Sequence, residues 1–194
     1  MYNTKKFTHW ITGGLLVLAG SAEVLIYTAS LSGGAEAVAN ASTGFGTATV
    51  TINTTAHSML VDVMFDALMG LTSAAHIHCC TASPNTGTVG VATPLPNFPG
   101  FPTGVTGGVY RQTFDLTQAI SWNNGFIIAK GGTPAAAESA LLAALEGDTA
   151  YLNIHTDLFL SGEIRGFLTR DLPEPGVLSL LGLGLGGLLA WRRG

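Results

Sequence analysis

Two short segments of this chain carry imidazoles at spacings that support chemistry, and a third carries an acid and a base. In Ala74-Ala75-His76-Ile77-His78-Cys79-Cys80, His76 and His78 stand two residues apart. On a β-strand such residues share a face, so the two imidazoles lie about 7 Å apart and can reach one ion. In Asp148-Thr149-Ala150-Tyr151-Leu152-Asn153-Ile154-His155-Thr156, Leu152 and Ile154 form an apolar face while Tyr151, Asn153 and His155 line the other, adding a third imidazole. Together they describe a mononuclear copper or zinc site over His76, His78 and His155, with Glu163 or Tyr151 tuning a bound water from beyond the ligands. The competing reading is a polar strand face whose histidines are satisfied by backbone or carboxylate groups. The third segment, Gly162-Glu163-Ile164-Arg165-Gly166, brackets alternating acid and base with glycines, and reads first as a structural ion pair or a hydrogen-bonded carboxylate at a strand bend.

The cysteines, Cys79 and Cys80, are adjacent and are the only two, so neither a disulfide framework nor a four-thiolate zinc site exists. Three readings stay open for them. They form a vicinal disulfide; a thiolate beside His78 joins the ligand set and favours copper(I) or zinc; or they pair between molecules or lie inert. The expectation is one mononuclear site rather than a binuclear centre, because His57, with the three already named, completes the histidines once His9 departs with the leader described below. No Gly-x-Ser-x-Gly elbow and no phosphate-cradling glycine loop follows a strand.

The elements that must position these groups are β-strands. Ser58 to Asp66 alternates with Met59, Val61, Val63 and Phe65 on one side and both aspartates on the other. Similar segments run 24–32, 46–53, 73–80, 109–114, 125–130, 149–155 and 163–169, and eight short strands indicate a sandwich or barrel. One helix interrupts them, with Thr133 as N-cap, Pro134 at its first position, Ala135 to Glu146 as its body and Gly147 closing it. Five of the eight prolines fall in a long aperiodic loop between Ala82 and Gly108, of a length more often functional than accidental. With 47% hydrophobic and 10% charged residues, disorder is excluded. Between Glu23 and Leu172 the chain holds four basic and eleven acidic groups, which argues against nucleic acid as a partner.

Both ends read as addresses. Lys5 and Lys6 precede a short apolar run ending in Gly20-Ser21-Ala22, the pattern of a signal helix cut by signal peptidase, giving 1–22 as leader and 23–172 as the domain. At the far end Pro173-Glu174-Pro175 leads into an uncharged stretch from Val177 to Trp191 and then Arg192-Arg193. That stretch reads as a transmembrane helix whose basic flank stays in the cytoplasm. The order tripeptide, apolar stretch, basic cluster resembles the PEP-CTERM sorting signal of bacterial envelope proteins. The resemblance implies export, a transient inner-membrane anchor and cleavage by an exosortase-type enzyme.

The middle resembles the CHRD domain. The likeness rests on Ala29-Ser30-Leu31-Ser32-Gly33 with Glu36 just after, Ser42-Thr43-Gly44-Phe45-Gly46-Thr47, Ala75-His76-Ile77-His78, Tyr151 to Thr156 and Gly162 to Gly166, in this order. The chain departs where members of that family carry prolines after the glutamate and this one has Ala37-Val38-Ala39. The resemblance implies an all-β, immunoglobulin-like or superoxide-dismutase-like Greek-key sandwich with one short helix, and says little about activity. The first expectation is therefore a non-enzymatic envelope or extracellular-matrix module for binding or adhesion, with extracellular polysaccharide or surface proteins as partners. The second is a secreted copper- or zinc-dependent enzyme built on the His-x-His strand.

Overall fold

The computed structural model describes residues 24–171. The leader, the Pro173-Glu174-Pro175 tripeptide, the apolar stretch after it and Arg192-Arg193 lie outside the described residues. Among the described residues no helix is long and apolar enough to cross a membrane.

The architecture is all-β with few helices. β1 (Val24–Ser32), β2 (Phe45–Asn53), β3 (Ser58–Asp66) and β5 (Gly108–Asp115) pair as neighbours, and β4 (Thr72–Cys79), β6 (Ala150–Thr156) and β7 (Ile164–Phe167) form a second group. All belong to one antiparallel sheet in the order β4-β6-β7-β1-β2-β3-β5, with β8 (Thr169–Arg170) pairing β1. The first group is regular because its members alternate strictly: Leu25, Tyr27, Ala29 and Leu31 of β1 face inward beside Ala48, Val50 and Ile52 of β2. The two groups meet where Ser32 pairs with Arg165. A Cβ on Gly166 there would stand 2.3 Å from the Ser30 carbonyl oxygen, so only glycine lets β7 pass this close. The sheet curls, and the inward faces of both groups share one apolar core that includes Val61, Phe65, Ile77, Leu152 and Ile154.

α2 (Pro134–Glu146) begins and ends as its sequence indicates, with the Thr133 side chain accepting from the Ala136 N–H and Gly147 at its C-cap. The stretch 125–130, expected as a strand, instead lies in the helix α1 (Asn124–Ala129) and its C-cap Lys130. Asn123 caps it by accepting from the Gly125 N–H, and Phe126 and Ile127 turn inward while Ile128 stays exposed. A six-residue apolar run carries no period that separates helix from strand, and the cap decides. The expected strand over 163–169 is split by Leu168, which turns inward and donates its N–H to Ala150.

The long loop from Ala82 to Gly107 covers the free edge of β4. Cys79 donates its N–H to Gly90, Ala92 to Ile77 and Phe98 to Ala75, while the Thr93 hydroxyl and Asn97 amide oxygen accept from Ile77 and Ala75. A strand edge that would otherwise expose unpaired groups is thus closed by a loop too rich in proline to be a strand itself.

Candidate functional site

Strand pleating divides β4 and β6 between two environments. Ala75, Ile77 and Cys79 with Leu152 and Ile154 face the core, and His76 and His78 with Tyr151, Asn153 and His155 face outward. That outward face is not left to solvent. His76 is 5% exposed and Asn153 2%, because the opening loop near Glu36, the long loop near Val89 and Pro96, and the turn at Leu160 roof it over.

The three predicted imidazoles converge. Each offers a nitrogen within 4.8 Å of the others, and the ring centroids stand 5.9, 5.5 and 5.9 Å apart. His76 Nε2 lies 2.8 Å from the Pro96 carbonyl oxygen, His78 Nδ1 2.8 Å from that of Val89 and His155 Nδ1 3.0 Å from that of Leu160. A carbonyl can only accept, so each of these nitrogens carries the proton and the other nitrogen of each ring carries a lone pair. Those other atoms, His76 Nδ1, His78 Nε2 and His155 Nε2, are buried without a hydrogen-bond partner. Burial lowers all three histidines below the ordinary imidazole value, His78 to about 4, against the opposing effect of the carbonyl bonds. At neutral pH the cluster is three neutral rings presenting lone pairs to one another, the state in which imidazole binds a metal.

A second polar group stands beside it. Tyr151 stacks on His78 at 4.7 Å, and the Arg165 guanidinium lies over the Tyr151 ring, 4.8 Å from its centroid. Arg165 donates to the Ala35 and Gly87 carbonyls, so it ties the opening loop to the long loop, and its Nε is 3.9 Å from Glu36. Asn153 Nδ2 donates to both Glu36 oxygens at 3.2 and 3.3 Å. Glu36, Asn153, Arg165 and Gly162 line a cleft of about 360 Å³. Gly162 has φ +127, and a Cβ there would press on both Asn153 and Glu36.

Burial pushes the Glu36 carboxyl up to about 7, outweighing the opposing pull of Arg165 and the Asn153 bond. The folded state therefore holds a proton that the unfolded chain has released, and Glu36 stabilises most at low pH, losing that contribution as pH climbs from about 4.5 to 7. Glu36→Gln is expected to remove this slope and to exceed the natural protein in stability above pH 7 by about 1–3 kcal/mol. Denaturant titrations of both proteins at pH 5 and 8 check it. An equal difference at the two pH values would contradict it.

Of the readings left open for the cysteines, the vicinal disulfide is the one present: the Cys79 and Cys80 sulfurs are joined on the α2 side, where both approach the Ala140 carbonyl, and the alternative of a thiolate ligand beside His78 is corrected. Glu163 is the hydrogen-bonded carboxylate of its first reading, and its alternative role behind the histidines is corrected. Its fully buried carboxylate accepts from the Ser42 hydroxyl, the Met69 and Gly70 N–H groups and the Thr156 hydroxyl. His57 lies in the exposed turn expected of it, 3.0 Å from Glu138 of α2. Asn153 and Glu36 were not legible as site residues, since an outward amide on a strand and a glutamate after a loop carry no spacing signal.

A family model for the CHRD domain matches residues 27–168. No curated protein and no solved structure matches the chain.

Proposed function

This chain belongs to the CHRD domain family, and from that premise we propose that it is a metal-binding module of the bacterial cell envelope, in which His76, His78 and His155 hold one zinc or copper ion. The observation that carries the reading is the set of three buried, unpaired imidazole nitrogens turned toward one another, each ring fixed by a backbone carbonyl. Buried polar atoms find partners almost without exception, and three lone pairs together repel until a cation fills the space between them. Zinc and copper(II) both accept imidazole nitrogen readily, whereas calcium requires oxygen.

The module works by binding rather than turnover. An ion at this point pins two roofing segments, the long loop and the turn at Leu160, to β4 and β6 through the carbonyls of Pro96, Val89 and Leu160. It stiffens a surface suited to extracellular polysaccharide or surface proteins. The curled sheet fits an immunoglobulin-like or superoxide-dismutase-like Greek-key sandwich. The basic, apolar leader and the Pro173-Glu174-Pro175 to Arg192-Arg193 tail support export by signal peptidase cleavage, transient membrane anchoring and exosortase-type processing. The cleft lined by Glu36, Asn153 and Arg165 favours a second reading, a copper or zinc enzyme with an open coordination position.

The test is elemental analysis of the full chain after exposure to copper, zinc and calcium, beside a His76→Ala, His78→Ala variant. One equivalent of copper or zinc in the natural protein, none in the variant and calcium in neither is expected. A natural protein that retains no transition metal overturns the reading.

A further inference from the structure

Among the described residues four buried side-chain atoms lack a hydrogen-bond partner, and all four sit on one sheet face: the three imidazole nitrogens and Asn153 Oδ1. Asn153 is the direct cross-strand neighbour of His76 and stands two residues before His155 on the same side of β6. It is also a wall of the cleft that Glu36 and Arg165 line. Its amide is oriented by Glu36, whose two carboxyl oxygens accept from Nδ2 and leave Oδ1 as the unpaired end.

The four atoms are alike in kind. Each is an acceptor, and none of them can donate to another. A metal ion on three nitrogens satisfies those three and leaves Asn153 Oδ1 still needing a proton. A three-coordinate zinc or copper ion in turn still needs a ligand. One water molecule meets both needs, because its oxygen binds the ion while its hydrogen points at the amide.

Resting on the three-histidine reading above, we propose that the centre is of the open type: its fourth position holds an exchangeable water on the cleft side, and Asn153 is the positioning residue that accepts that water's hydrogen bond. The ligand class this admits is small, solvent-borne and able to replace water. A ligand that donates a hydrogen is favoured at the position. An anion such as azide, which only accepts, leaves the amide oxygen orphaned when it enters.

That asymmetry supplies the test. The full chain is loaded with cobalt(II), which reports its coordination by visible absorption, and titrated with azide. The natural protein and Asn153→Leu are both expected to bind one equivalent of cobalt, and azide is expected to bind the variant about tenfold more tightly, because there it strands no acceptor. Equal azide affinity in the two proteins overturns the proposal. So does a large loss of cobalt affinity in the variant, which would make Asn153 a direct ligand. Failure of the natural protein to bind cobalt sinks the three-histidine reading instead, so the two failures are distinct. A measurement on the natural protein needs no variant: copper(II)-loaded chain should show, besides the weak couplings of the three imidazole N–H protons, strong hyperfine couplings from water protons that vanish in deuterated water and on azide addition. Their absence before azide is added also overturns the proposal.

Discussion

Zinc present at a hundredfold excess over its dissociation constant is expected to raise the unfolding free energy of the natural protein by about 2.7 kcal/mol. For a domain of this size that is about 5–10 °C in Tm. The expectation follows from what the apo fold already carries. Three imidazoles are held neutral by burial, and their protonated nitrogens are committed to Pro96, Val89 and Leu160. A zinc ion would find its ligands in the right tautomer, with little side-chain freedom left to lose. Removing a single ligand should therefore lower zinc affinity by orders of magnitude and flatten the thermal response.

His78→Phe is the more informative variant, because a phenyl ring keeps the stack on Tyr151 and loses only the nitrogens. Without metal it should unfold near the natural protein, since the Val89 carbonyl is left unpaired but a buried lone pair is also removed. With zinc the two proteins should part by nearly the full metal-induced shift. Thermal scans with and without zinc decide the matter. Equal zinc shifts in the natural protein and in a variant lacking all three histidines would show that the ion binds elsewhere.

The inward face of this fold was written in the sequence because period two and burial coincide there. Met59 to Phe65 alternate with polar neighbours, and the structure buries them as expected. Thr133 and Pro134 marked the helix start for an equally local reason. The His-x-His pair and His155 were legible as a shared face, since side-chain direction on a strand is fixed by parity alone. Their convergence was expected from residue type, but the sequence does not show what produces it, the pairing of β4 with β6 although over seventy residues separate His78 from His155. The roof over them was invisible for a related reason: a loop with no period gives no hint of which edge it will cover or which carbonyls it will bring to a ring. The segment Gly125 to Lys130 misled because its apolar residues suit either period, and the deciding group, Asn123, lies outside it.

Glu163 shows how a residue type can suggest chemistry while its surroundings assign it to structure, and Glu163→Gln is expected to cost about 3–5 kcal/mol of stability. Its two oxygens take four donors: Ser42 at 2.5 Å and the Met69 N–H at 2.6 Å on one, Thr156 at 2.7 Å and the Gly70 N–H at 3.1 Å on the other. A glutamine must turn its NH₂ toward one of these pairs, so two donors face a third and at least one backbone N–H is left without an acceptor. The loss falls on the opening loop, the turn between β3 and β4, and β6 together, because the one carboxylate joins all three. Burial alone would raise the carboxyl, but the bonds from Ser42, Met69, Thr156 and Gly70 outweigh it and hold it below the ordinary glutamate value. The stabilisation is therefore complete above about pH 4.5 and is lost as pH falls below it. Denaturant titrations should show the natural protein and Glu163→Gln far apart at pH 7 and drawing together in acid. Metal stoichiometry should be the same in both, since the carboxylate is held by Ser42, Met69, Gly70 and Thr156 and not by a histidine. A variant that keeps its stability but loses its metal would return Glu163 to the site, behind the imidazoles.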